Sequence, residues 1–359
     1  MRTTFAVVLA LLAPALSGCL GGEARTEWAF ETTQLSSLAD AGRTGHGVTI
    51  AILDTGINVQ HVALRHLVDG NPDNGELVAF QDYMANRNGV ASAYDDDGHG
   101  SHVAGIIAAS GSSLTDKLEY GGINLLGGAP GAKLVVAKVC GVNRCNADAI
   151  PKAIQWAVSQ HADVINLSLG GVRSNDIFSN LAPDRMTQAI QAAVDKGVVV
   201  VAAAGNDGPA NADVSTPADV PDVLAVGAIQ EDGAVWENSS RGDDAGHPCG
   251  TSIPILGAQG RCDPNKKPEL VAPGVEILSA WTGDKYVRAT GTSQATPFVT
   301  AAVALLLEGR AHLTGRSDVV HVKQVLIHAA KPVPGARLPH DPAAGYGLLQ
   351  AKAAYDAYR

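Results

Sequence analysis

Three residues of this 359-residue chain combine reactive side chains with positions that would expose them. Asp54 ends the apolar run VTIAILD, His99 stands in DDDGHGSHVAG, and Ser293 stands in GTSQATP, just ahead of the apolar run PFVTAAVALLLEG. A serine hydroxyl becomes a nucleophile when a base takes its proton. Histidine can take and return that proton near neutral pH, and a carboxylate on its second ring nitrogen holds the required tautomer. Each residue also has a plain reading: Asp54 as a turn residue at a strand end, His99 as a helix-start residue, Ser293 as an N-cap. Asn206, in AAAGNDG, likewise suits a turn. On residue types alone both readings stand.

The elements that must position these residues alternate. Strands are expected at 48–53, 133–139, 163–167, 198–203 and 223–228, and helices at 99–109, 148–160, 184–196, 296–308 and 317–329. Runs such as GVVVVAAAG show no polar alternation, as expected of strands buried on both faces. Alternating βα units with such strands predict an α/β fold, with a central, mostly parallel sheet flanked by helices in three layers. Ligands of open parallel sheets bind beyond the carboxyl ends of the strands, which is where Asp54 and Asn206 fall.

Asp, His and Ser in that order, within LDTG, GHGSHVAG and GTSQATP, resemble the three signatures of subtilisin-like serine peptidases. The likeness continues through INLSLGG, VVAAAGNDGP, STPADVPDVLAVGA and KPELVAPGVEI, from about Trp28 to the C-terminus. It implies a catalytic triad of Asp54, His99 and Ser293, and an oxyanion hole made by the Asn206 amide and the Ser293 backbone N–H. It also implies a primary specificity pocket with walls Ser168, Leu169, Gly170, Gly171 and Ala203, Ala204, Gly205, and with Ser215 and Thr216 near its floor. Gly141 to Ala147 would be an edge strand that pairs with the substrate, and Asp97 has two readings, as facing a neighbouring subsite and as a helix-start residue. His102 is expected to pack or hydrogen-bond structurally. No acidic residue is evident at the floor, so cleavage is expected to be broad and to lean apolar. Many relatives carry methionine after the serine; Gln294 stands there and cannot form a sulfoxide.

Composition agrees with a folded, exported protein. With 46% hydrophobic and only 4% aromatic residues, the core must be built from Val, Ala, Leu and Ile. A net charge of −10 with no long basic cluster argues against nucleic acid as a partner. The opening MRTTFAVVLALLAPALSGCL joins a basic start to a short apolar stretch, and Leu16-Ser17-Gly18-Cys19 resembles the lipobox of prokaryotic lipoproteins. The alternative is an ordinary signal peptide cut nearby. The division expected is a signal peptide over 1–18, a short anchor over 19–27 and one peptidase domain over 28–359. This describes a monomeric cell-envelope lipoprotein that faces the extracytoplasmic side, held to the membrane by lipid on Cys19, with proteins or peptides as substrates.

Of five cysteines, lipidation of Cys19 leaves an even four. Four permit three connectivities; the local pairs Cys140–Cys145 and Cys249–Cys262 are favoured, with buried free thiols as the alternative. The Gly-, Pro- and Asp-rich stretch 239–268 reads as a surface insertion stapled by the second pair.

Two departures from the family pattern stand out. The distance from Cys19 to Asp54 leaves no room for the folding propeptide of many relatives. The usual calcium site looks degraded, because Ala63 stands where the family has an aspartate and Gly121 lies near the position of a loop asparagine. No cofactor is required on this reading; Asp95, Asp96 and Asp97 could hold a different calcium, though a charged loop tip is the simpler reading. Two rival functions remain: a dedicated processing peptidase with one partner substrate, and a non-catalytic surface binding protein on a peptidase scaffold.

Overall fold

Seven short strands rich in Val, Ile, Leu and Ala lie side by side in the computed structural model, all paired parallel. The structure describes residues 27–358 apart from 72, 74, 112–124, 143, 172–183, 211–212, 243–248 and 250–260. The signal segment, Cys19, Gly121 and most of the 239–268 insertion lie outside the described residues. In chain order the sheet strands are β1 (Thr49–Asp54), β2 (Glu76–Asp82), β3 (Lys133–Lys138), β6 (Val164–Leu167), β7 (Val199–Ala203), β8 (Leu224–Ile229) and β9 (Leu270–Pro273). Two small hairpins complete the numbering: β4 (Cys140–Gly141) with β5 (Arg144–Cys145), and β10 (Ile277–Ala280) with β11 (Tyr286–Ala289). The sheet order is β2-β3-β1-β6-β7-β8-β9. The order therefore reverses between β1 and β6, the switch point at which a cleft opens above the strand ends.

Helices cover the sheet as the apolar strands require. The short α1 (Glu27–Thr32) and α2 (Leu35–Asp40) precede it. The longer helices are α3 (His99–Ala108), α4 (Ile150–Ser159), α5 (Arg185–Val194), α6 (Thr292–Leu307) and α7 (Arg316–Ala329), followed by α8 (Ala351–Ala357). α3 packs against α6, with β1 and β6 to β9 beneath the pair; α4 packs against α5, with β1, β3 and β7 beneath. The two pairs form the outer layers of an α/β fold consistent with the subtilisin-like one. All residues of α3 are buried, and so are all residues of α6 except Ser293. A helix that is apolar all round belongs in a protein interior, so one half-exposed serine in α6 marks where that interior opens.

Two boundaries differ from expectation. The last large buried helix begins at Thr292 rather than at 296, so Ser293 is its second residue and Gly291 its N-cap. Pro297 then lies in the second turn, not the first. Having no N–H, it leaves the carbonyl of Ser293 free within the helix, and Ser168 Oγ donates to that carbonyl at 2.8 Å. Gly141 to Ala147 is not one continuous edge strand. Cys140 pairs with Cys145 and Gly141 with Arg144 in a tight hairpin.

The cysteines pair as expected, Cys140 with Cys145 and Cys249 with Cys262. At the opposite end of the sheet from the cleft, the carboxylate of Glu269 is fully buried between two buried lysines, at 2.9 Å from Lys267 Nζ and 2.5 Å from Lys323 Nζ. It also accepts the N–H of Ala225, while both lysines donate to Val223 O. Removing one member of such a cluster strands the others without solvent. Glu269→Ala is expected to cost about 3–5 kcal/mol of stability, read as a lower urea midpoint at unchanged slope in a Ser293→Ala background that excludes self-cleavage. An unchanged midpoint would refute this.

Candidate active site

The carboxyl ends of β1, β6 and β7 and the N-terminal ends of α3 and α6 meet at the cleft. Asp54, the last residue of β1, is buried, and its Oδ1 lies 2.7 Å from His99 Nδ1. A carboxylate only accepts, so Nδ1 carries the proton and Nε2 is left bare, the tautomer a general base needs. Asp54 Oδ1 also accepts the N–H of Thr55 at 2.7 Å.

Side chains from three different positions hold His99 by satisfying the open N–H groups of its helix. The N–H of His99 donates to Asp97, that of Gly100 to Thr55 Oγ1 and that of Ser101 to Asp95. Asp95 further accepts from Thr55 Oγ1, from the N–H groups of Asp97 and Gly98, and from Ser101 Oγ. Thr55 follows Asp54 and Gly100 follows His99, so the Thr55 hydroxyl joins the two chains one residue beyond the Asp54–His99 contact. That approach requires Gly100, because a Cβ there would collide with the backbone of Gly56.

Lys138, wholly buried at the end of β3 and in register with Asp54, donates to Thr55 O and Asp96 Oδ1 at 2.5 Å each and to Cys140 O at 2.9 Å. The three consecutive aspartates are thus not a free loop tip; each serves a different partner. Among the described residues no group of three or more His, Cys, Asp or Glu could hold a metal ion. Of the usual calcium position only Ala63 is described. Ala63 is buried, brings no carboxylate, and its carbonyl already accepts from Ser110 N.

Ser293 does not hydrogen-bond to His99 in this structure. Its hydroxyl donates to Ser168 O at 3.0 Å, while Ser168 Oγ returns a bond to Ser293 O. A buried relay backs this exchange, in which Thr300 donates to Asn166 and Asn166 to Ser168 Oγ. Asn206 follows β7 and Gly205, and its Oδ1 accepts both the N–H and the hydroxyl of Thr292 at 2.9 Å. That fixes the amide plane. Among the described residues the Asn206 Nδ2 group and the Ser293 N–H have no acceptor, which leaves two donors at the head of α6. Ser168, Leu169, Ala203 and Ala204 are buried; Gly171 and Thr216 exchange backbone hydrogen bonds below them. Gly141 lies on the disulfide-closed hairpin at the rim.

Sequence reading missed Thr55, Lys138, Asn166 and Thr292. One signal was available: a lysine closing the apolar run LVVAK is costly unless its ammonium is paired. His102 behaves as expected. Its Nε2–H donates to Ile277 O and Val287 O, and burial, followed by the nearby His99, pushes its pKa down to about 3, so it stays neutral.

The chain matches the profile of the Subtilase family over residues 45–347. It belongs to the subtilase family of serine peptidases. It is 33% identical over 280 residues to Subtilisin BL of Lederbergia lenta, covering 78% of this chain and 83% of that one. To the major intracellular serine protease of Bacillus subtilis (strain 168) it is 34% identical over 275 residues, 74% of this chain and 70% of that one. To serine protease AprX of the same organism it is 30% identical over 295 residues, 76% of this chain and 59% of that one.

Burial acts to lower the His99 pKa, but the carboxylates of Asp54, Asp97 and Asp95 outweigh it, and the net shift is upward. On the reading of His99 as the general base, a raised pKa keeps it protonated to higher pH, so activity is expected to fall as pH drops through that raised value. Asp97→Asn keeps an acceptor for the His99 N–H and removes one charge. The acid limb of kcat/KM is expected to move to lower pH, and a limb that stays in place or moves up would contradict the role given to Asp97.

Proposed function

We propose that the chain is a serine endopeptidase that hydrolyses peptide bonds through Asp54, His99 and Ser293. The observation that carries this is the pair of unengaged donors, Asn206 Nδ2 and the Ser293 N–H, at the head of the same helix that holds the hydroxyl, beside a buried Asp54–His99 bond of 2.7 Å. A binding protein has no use for donors held open in this way; a developing oxyanion does.

In the free chain the Ser293 hydroxyl rests on Ser168 O; on substrate binding it turns to His99 Nε2, a contact that commonly forms only in the complex. Ser293 Oγ attacks the scissile carbonyl as Nε2 takes its proton. The carbonyl oxygen becomes an anion that accepts from Asn206 and the Ser293 N–H, and Asp54 stabilises the imidazolium. His99 returns the proton to the leaving amine, and water repeats the sequence on the acyl-enzyme. No organic cofactor enters. Residues 28–359 act as one peptidase domain, and the walls formed by Ser168 to Gly171 and Ala203 to Gly205 receive the substrate side chain, giving broad cleavage that leans apolar. Cys19 carries the lipid that holds the exported monomer to the cell envelope. Among the described residues no helix is long and apolar enough to cross a membrane.

A fluorophosphonate probe tests the chemistry. Covalent labelling of the wild type and none of Ser293→Ala is expected; absence of label on folded wild type would defeat the proposal. For the anchor, the wild type is expected in the membrane fraction and Cys19→Ser in the soluble one. Equal partitioning would remove the lipid from the account.

A further inference from the structure

Three separate stretches of the chain around the cleft end on one ammonium. Lys138 closes β3, two residues before the disulfide-closed hairpin, and its side chain is wholly buried. Its Nζ donates to Thr55 O and Asp96 Oδ1 at 2.5 Å each and to Cys140 O at 2.9 Å. Those three acceptors use every proton an ammonium has. The Tyr94 ring, 5.0 Å from Nζ, covers a further side. The acceptors serve different parts of the site: Thr55 follows Asp54, Asp96 lies in the turn ahead of His99, and Cys140 opens the hairpin at the rim.

The backbone repeats the connection. Val139 N–H donates to Asp54 O at 2.9 Å, and Asn146 N–H, just past the hairpin, donates to Val139 O at 2.8 Å. The bond from Lys138 Nζ to Cys140 O reaches two residues along the same chain, so it sets the direction in which the hairpin leaves the sheet. The disulfide then joins Cys140 to the residue opposite it, Cys145. Cys140 O cannot swing away from Nζ without drawing Cys145 with it. Nζ in turn has no water to take the place of a lost carbonyl, and a buried charge stripped of its partners is costly. Gly141 lies against the same group: a Cβ there would stand 4.0 Å from both Lys138 Nζ and Asp96 Oδ1. The rim hairpin and the Asp54–His99 pair therefore share one fastening.

We infer that Lys138 is a positioning residue of this peptidase, which holds the Cys140–Cys145 hairpin and the end of β1 as one body, so that the disulfide supports the chemical step and not only the rim. Lys138 touches neither substrate nor reacting atoms; it acts through Thr55 and Cys140. With the disulfide open, Cys140 O is free to leave the ammonium. The ammonium then shifts, and with it the carbonyl of Thr55, one residue from the carboxylate that orients His99. Displacements of this kind, away from the chemistry, are enough to slow it. The inference rests on the proposed peptidase activity and adds a structural condition to it.

A mutant cycle in the full chain tests it, with active molecules counted by a fluorophosphonate and rates measured on a peptide 4-nitroanilide. Lys138→Met and the pair Cys140→Ser with Cys145→Ser are each expected to lower kcat about tenfold, within the loss that a small misplacement commands. Lys138→Met is expected to leave KM near its wild-type value, the mark of a contribution made in the transition state. All three substitutions together are expected to lower kcat no further than Lys138→Met does, because the hairpin then has no ammonium to act through. Asp96 is half exposed, so Asp96→Asn takes the place of Lys138→Met if the latter gives no folded chain; its loss in kcat is likewise expected to fall short of multiplying with that of the cysteine pair. A wild-type kcat in folded Lys138→Met, or losses that multiply in either cycle, overturns the coupling and leaves the peptidase standing. A wild type that neither labels nor cleaves overturns both.

Discussion

The Thr55 hydroxyl is the joint on which the site depends. It accepts the N–H of Gly100 at 2.8 Å and donates to Asp95 at 2.9 Å, and so binds the residue after Asp54 to the residue after His99. The Asp54–His99 contact is therefore one of two parallel links between the end of a strand and the start of a helix. A side-chain hydrogen bond alone leaves two rotors free to drift, whereas two links one residue apart fix both backbones. Asp95 gathers the remaining N–H groups of the turn, and Lys138 pins the carbonyl of Thr55 from beneath. Buried polar networks are costly unless every member is satisfied, and this one occupies the place where α3 must not move.

The second half of the site is built on a missing hydrogen bond. Pro297 cannot donate to Ser293 O, so that carbonyl is available to Ser168, whose own carbonyl holds the Ser293 hydroxyl. The wall of the pocket and the candidate nucleophile are thereby coupled through a break in the helix ladder. Thr292 performs the matching task for Asn206, taking up the amide oxygen and leaving the nitrogen without an acceptor among the described residues.

Much of the fold was legible beforehand, for a physical reason. Strands buried on both faces show as unbroken apolar runs, and β1, β3, β6, β7 and β8 were found within a residue or so of their observed ends. β2 and β9 were not singled out. β2 (ELVAFQD) mixes buried and exposed positions at the sheet edge, and β9 spans only four residues just after the 239–268 stretch. The start of α6 was placed four residues late because Pro297 looks like a first-turn residue, and only the donor supplied by the Ser168 hydroxyl shows why it is tolerated deeper in the helix.

By itself, the sequence determined which residues could do chemistry, their order, and the sheet that would present Asp54 and Asn206 at its strand ends. Those properties are local: side-chain type, apolar periodicity and the residues next to them in the chain. Tertiary structure alone decided what holds them. The partners of the site lie far apart in sequence, Thr55 from Gly100, Asn206 from Thr292, Ser168 from Ser293, and their bonds depend on where separate elements come to rest. It also decided that the three aspartates before His99 part company, each to its own donor. Packing of distant backbones sets such distances, and no local pattern in the chain encodes them.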